Sequence, residues 1–340
     1  MNRALFPILA LLFVALVAPA QENVPILSGA LGVVGTNTAA NPSFQPIIAP
    51  VLVAPFGDHW VVEARGYVEG FIFRQDGSSG PYTGLFFAGL DYAQVDYIAN
   101  RHLTVTAGRF LTPFNIYNER FPRWIANLAD SPIIYTIGTR ISGSSNGGMV
   151  RGVAIERPNW IVNYTAYASA FTSTENLLSG RAIGGRAGVF VPGAGVEIGA
   201  SYQRFLQSGD YNNSGMYFVW QPPPIPLDVR GEYAHSPGGQ GYWIEGAYHL
   251  APTRDTNSWL GRLQPVARVQ QYFKGSNPKP EDILPRADTN QFDFGLNYYL
   301  PHDVRINGSY GRAFSSAGNY NTWNFSITYR FLFPAWPGGH

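Results

Sequence analysis

Near the end of the chain, Trp323, Phe325, Ile327, Tyr329, Phe331 and Phe333 alternate with Asn324, Ser326, Thr328 and Arg330. A strand sends successive side chains to opposite faces, so this segment has one wholly apolar face and one polar face. The same period of two recurs elsewhere. Val196, Ile198, Ala200 and Tyr202 alternate with Glu197, Ser201 and Gln203. Leu227, Val229, Gly231 and Tyr233 alternate with Asp228, Arg230 and Glu232. Phe292, Phe294, Leu296 and Tyr298 alternate with Gln291, Asp293 and Asn297, and Val304, Ile306 and Tyr310 with Arg305, Asn307 and Ser309. Gly, Pro, Asn and Asp clusters separate the segments, which predicts an all-β chain. Helical periodicity is nearly absent, with its best candidate at residues 119–128.

A sandwich would turn the apolar faces to a core, whereas a membrane barrel would turn them to lipid and the polar faces to a lumen. Aromatic residues at both ends of the apolar row favour the barrel, because such girdles collect at membrane interfaces. Composition agrees. Charged residues make up 13% and aromatics 15%, against about 25% charged in soluble domains. Arg3, the apolar run of residues 4–17 and Ala18-Pro19-Ala20 form a secretory leader, predicted to be residues 1–20. The rest, residues 21–340, is predicted to be a single barrel domain.

Connection lengths fix the orientation. The links at 55–58, 99–101, 157–159, 192–194 and 301–303 are short, and those at 74–81, 113–146, 172–180 and 275–287 are long. Outer-membrane barrels have short periplasmic turns and longer outer loops. The links at 221–226 and 251–257 are longer than that rule favours for periplasmic turns. Counting strands back from 322–333 gives fifteen as far as 43–54. Even parity then demands one more, for which residues 26–35 are the candidate, making sixteen with fourteen as the fallback. Residues 113–146 become the third outer loop. Its aromatic and aliphatic content (Phe114, Ile116, Tyr117, Phe121, Trp124, Leu128, Ile133, Tyr135) predicts a packed segment, and its place resembles that of the third outer loop of general porins, which implies that it folds into the barrel.

Gly108-Arg109-Phe110-Leu111-Thr112-Pro113-Phe114 at a strand end resembles the corresponding segment of the phosphate-selective porin O and P family. Phe294-Gly295-Leu296-Asn297-Tyr298-Tyr299, a short turn and Val304-Arg305-Ile306-Asn307 are similar to that family's penultimate hairpin. The resemblance implies an outer-membrane porin of Gram-negative type and, by analogy with such barrels, a homotrimer. That family's anion specificity rests on pore lysines, and this chain has only Lys274 and Lys279.

The expected function is passive diffusion of small hydrophilic solutes or ions, with no enzymatic step, cofactor or metal. The expected partners are the lipid bilayer of the outer membrane and those solutes. Without Arg3 the chain carries 22 basic and 22 acidic residues, which argues against nucleic acid and predicts weak ion selectivity, slightly anionic near the constriction. Candidate lumen-lining charges are Glu63, Arg65, Glu69, Arg109, Arg120, Arg123, Arg140, Arg186, Asp228, Arg230, Glu232, Glu245, Arg268, Asp293 and Arg305. In a pore such rows filter solutes; otherwise they are ion pairs that plug or stiffen the lumen. A closed barrel, serving as a structural or binding protein or as a conduit for an apolar ligand, is therefore the second reading. An outer-membrane lipase is the third, since Gly143-Ser144-Ser145-Asn146-Gly147 matches a nucleophile elbow in letters, though no strand-turn-helix surrounds it.

Overall fold

In the computed structural model, the described residues are 24–38, 41–75, 80–135, 143–174, 177–207, 211–250, 258–275 and 287–334. The expected leader and Arg140 lie outside them. The strands are β1 (Ile26–Thr38), β2 (Asn41–Phe56), β3 (Trp60–Arg74), β4 (Tyr82–Asn100), β5 (Leu103–Leu111), β6 (Ser144–Arg157), β7 (Trp160–Ala170) and β8 (Ala182–Val191). They continue with β9 (Val196–Phe205), β10 (Tyr211–Trp220), β11 (Leu227–Ser236), β12 (Gly239–Tyr248), β13 (Leu263–Lys274), β14 (Thr289–Tyr299), β15 (Val304–Ser315) and β16 (Tyr320–Pro334). Each pairs antiparallel with its sequence neighbours, and β1 closes on β16 with Ile26 opposite Pro334 and Thr38 opposite Thr322. The barrel therefore has sixteen strands, and the segment required by parity is the closing one.

The faces are inverted relative to a soluble sheet. On β16, Trp323, Phe325 and Ile327 are exposed (Phe325 at 55%), while Asn324, Ser326 and Thr328 are buried (Ser326 at 2%). On β14, Phe294 is 61% exposed and Asp293 only 2%. Apolar side chains in water would cost about 25 cal/mol per Å², so this outer surface belongs in lipid. Only a closed barrel satisfies every backbone group there. Aromatic pairs mark both rims: Tyr310 and Trp323, 4.5 Å apart, near the end that carries the long loops, and Trp60 and Tyr97, 4.8 Å apart, near the other.

The two chain ends, at Ile26 and Pro334, share a rim with the turns at 57–59, 101–102, 158–159, 192–195, 221–226 and 300–303. The strand ends joined by the long connections, β5 to β6, β7 to β8 and β13 to β14, all lie at the opposite, outer rim. The connection at 249–262 is the one long link on the turn side. Little of the chain is helical. The patch expected at 119–128 forms only one turn, α1 (Tyr117–Arg120), and a 3-10 turn follows at Ile133–Tyr135.

Candidate functional site

The described part of the connection between β5 and β6, residues 112–135, runs inside the barrel. Its first part is held by β8–β11. Glu232 on β11 accepts the backbone N–H groups of Ile116 and Tyr117 on one oxygen, both at 2.8 Å, and the Trp243 indole N–H on the other at 3.2 Å. Ser201 on β9 accepts from the Asn115 N–H at 2.9 Å. Arg186 on β8 pairs with Glu119, and Arg120 forks onto Glu197 of β9 at 2.6 and 2.8 Å.

The segment then reaches the opposite wall. Arg123 donates to Glu69 on β3 at 2.6 Å and to Gln45 on β2 at 2.8 Å. Arg65 on β3 pairs with Asp91 at 2.8 Å and lies over the rings of Tyr92 and Trp124. Arg305 on β15 donates to the Ala126 carbonyl at 2.7 Å.

A third set lies under the loop on β11–β14. Arg230 binds Glu245 at 2.7 Å, approaches Asp228 at 4.0 Å, and stacks on Phe121 at 3.9 Å. Arg268 binds Asp293 at 3.1 Å and the loop's Asp130 at 2.8 Å, with Glu245 at 3.8 Å. Asn127 donates to Glu245 at 3.0 Å.

An apolar core seals the loop against β11–β13, in which Phe114, Ile133, Ile134 and Tyr135 pack with Ala234, Trp243 and Tyr272. The described part of the loop is thus packed, as its composition predicts, and folded inward, as its likeness to the third loop of general porins implies.

The structure brings Glu63, Arg65, Glu69, Arg186, Asp228, Arg230, Glu232, Glu245, Arg268, Asp293 and Arg305 to inward faces, with Arg120 and Arg123 on the loop. Arg109 is the exception and corrects the lumen expectation. Thr106 and Phe110 are the buried, inward members of β5. Arg109 lies between them opposite Ala93 and Asn146 and donates to the carbonyls of Leu90 and Leu178 and to Asn146. The pairing register runs unbroken through Gly108 and sets Arg109 off the lumen.

Ser145, the candidate nucleophile, is buried at the start of β6, with its hydroxyl 2.8 Å from that of Thr112. A threonine hydroxyl is not a general base, and a loop precedes the strand here instead of a strand leading into a helix.

The sequence reading missed the inward glycines. A Cβ on Gly295 would stand 2.5 Å from Leu128, and one on Gly241 would stand 2.7 Å from Ile134. Gly215 likewise leaves room for Asn115. Glycine within a strand often marks a close approach by another segment, so these positions were the available signal for where the loop docks.

Burial divides the lumen. Inward polar groups on β9–β16 are largely covered, among them Gln203, Glu232, Gln270, Asn297, Asn307 and Ser326. On β2–β4 the inward side chains of Ile47, Val51, Glu63, Glu69, Phe71 and Phe73 remain half-buried, and Leu85 and Phe87 are exposed.

Asp130, on the loop, titrates unusually. Burial raises its carboxyl, Arg268 opposes that, and Asp293 and Glu245 add to it, leaving the group at about 6. The folded state thus favours the protonated form. The stabilisation that this proton provides is complete below the ordinary aspartate range near 4 and is lost as pH rises through about 6. Taking the pH down through 6 removes a negative charge from the lumen. We expect reversal potentials to move toward anion preference over that interval, and the step to vanish in Asp130→Asn. An unchanged step would mean that another group titrates.

No family model and no curated protein sequence matches the chain. Solved structures do. The anion-selective porin from Comamonas acidovorans superposes with a TM-score of 0.59 at 10% identity, covering 91% of this chain and 100% of that one. Pseudomonas putida OprB gives 0.62 at 12%, covering 90% and 94%. Salmonella typhi OmpF, in complex with daunomycin, gives 0.60 at 12%, covering 91% and 98%. The chain has the general porin fold. At these identities the likeness speaks to architecture alone.

Proposed function

We propose that this protein is an outer-membrane porin, a passive diffusion channel for small hydrophilic solutes. The observation that carries the reading is the asymmetry of the lumen. The loop is fastened mostly to β8–β15 and meets β2–β3 only at Arg123 and Trp124, while on β3–β4 outward of the Arg123–Glu69 pair Leu85 and Phe87 stay exposed and Phe71 and Phe73 half-buried. Apolar outer faces and long loops at one rim support placement in the outer membrane. The fold shared with porins, the Thr112 hydroxyl as the partner of Ser145 among the described residues, and the pairing of the inward charges with one another support a non-enzymatic role.

Weak ion selectivity belongs to this reading. Arg65, Arg120, Arg123, Arg186, Arg230 and Arg268 each face a carboxylate. Pairing leaves little net field, and the phosphate selectivity of the family resembled in sequence is not carried over. A homotrimer is part of the proposal, by analogy with such barrels.

The second reading, a plugged barrel, draws on the same Arg123–Glu69 bridge, which makes the loop touch both walls. Planar-bilayer recording decides between them. The folded, heat-modifiable protein should give discrete conductance steps with a reversal potential near zero in a salt gradient. A folded barrel without steps in the parent, but with them in Glu69→Ala, would establish the plug.

A further inference from the structure

Phe71, Phe73, Leu85 and Phe87 form an apolar patch on the lumen side of the barrel, where polar side chains are the rule. Their orientation follows from neighbours. A Cβ on Gly70 would meet the rings of Phe86 and Pro46, both on the lipid side, so Phe71 points inward. Phe71 lies opposite Leu85, and Glu69, which binds the loop's Arg123, lies opposite Phe87. The Phe71 and Phe73 rings are 5.2 Å apart, and Leu85 and Phe87 are 52% and 51% exposed. No loop among the described residues covers them. Along the inward row of β3 the order from the outer rim is Phe73, Phe71, Glu69, Tyr67 and Arg65. Successive members are roughly 6.6 Å apart, so the patch ends about one sugar ring above the waist.

The waist offers hydrogen bonds without a net field. Glu69 and Arg123 pair with each other and Arg65 with Asp91, yet the Glu69, Arg123 and Asp91 side chains keep 21%, 24% and 28% of their surface exposed. Gln45 adds an amide. Paired charges of this kind do not attract an ion strongly, but they can satisfy hydroxyls. Aromatic rings just above them stack on a flat C–H face.

We propose that the outer vestibule binds neutral hydroxylated ring solutes, the pyranose sugars, by stacking on Phe71, Phe73 and Phe87 and passing their hydroxyls to Glu69, Arg123 and Gln45. This rests on the channel reading and adds a substrate class to it. Stacking raises the local concentration of the ring at the waist, and a contact this weak still lets it leave.

The test is liposome swelling in D-glucose against D-mannitol, which has nearly the same mass and hydroxyl number but no ring. The parent should admit glucose about threefold faster, a factor within the range that a weak aromatic contact supplies. In Phe71→Ser/Phe87→Ser, and separately in Phe73→Ser, the ratio should fall to about one in barrels that stay heat-modifiable and conducting. Equal rates in the parent, or a ratio unmoved in both folded variants, would overturn the sugar preference with the channel intact. Failure of both solutes to enter would overturn the channel and the preference together.

Discussion

Glu232→Ala is expected to raise single-channel conductance and make it noisy. Its carboxylate is the hinge of the inner loop, accepting two backbone N–H groups from Ile116 and Tyr117 and the indole N–H of Trp243. All of this lies inside the barrel, with Glu232 only 3% exposed. Each donor left without a partner costs about 1–3 kcal/mol. The first half of the loop would therefore leave β11 before the barrel wall is affected. The strands hold one another through their ladders, so heat-modifiability should persist while conductance grows. A conductance equal to that of the parent would show that the Phe114, Ile134 and Tyr135 core holds the loop without the carboxylate.

The barrel was legible in the sequence because its physics is local. A lipid-facing and a lumen-facing side repeat every two residues, so each segment states its own faces. Parity supplied β1, whose own pattern is weak. The interior was legible only in kind. That this loop is packed follows from its composition; where its described residues pack depends on partners such as Arg305 and Ala126, or Glu232 and Ile116, which lie far apart in sequence. The expectation of a slight anionic bias from Arg109, Arg120, Arg123 and Arg140 against Glu119 and Asp130 counted charges without their partners. Arg120 is taken up by Glu197 and Arg123 by Glu69, both on the wall. Arg109 was misplaced for a different reason. It was read as part of a motif at a strand end, whereas aligning β5 on Thr106, which bonds Asp96, fixes the face of every residue after it.

The same pairing explains how a lumen with so many charges can be stable. A buried ion costs several kcal/mol unless a partner and further hydrogen bonds satisfy it. The wall meets that demand with Arg on nearly every basic position, and the planar fork of Arg serves two acceptors at once. Arg230 places two N–H groups on one oxygen of Glu245, and Arg268 divides its donors between Asp293 and the loop's Asp130. The loop is therefore fastened by a network that also neutralises the wall beneath it. Docking and charge balance are one structural event.

Arg268 is the centre of that network, and its loss should be the most damaging single change in the barrel. Its side chain is 1% exposed, with Asp293 at 3.1 Å, Asp130 at 2.8 Å and Glu245 at 3.8 Å. Arg268→Met keeps the volume but leaves the acids facing one another in a covered space. Breaking a buried pair in this way costs roughly 3–5 kcal/mol. The expected result is a large fall in the yield of heat-modifiable barrel on refolding into detergent, with a lower denaturant midpoint for what does fold. The origin of the loss can be isolated. Glu245 retains Arg230, so neutralising the other two acids in Arg268→Met/Asp130→Asn/Asp293→Asn should restore most of the stability. If Arg268→Met matched the parent to within about 0.5 kcal/mol, the size of an ordinary surface substitution, the arginine would not be holding these carboxylates. If the triple variant stayed as unstable as the single one, the cost would lie in packing around Tyr117 and Trp243, not in charge.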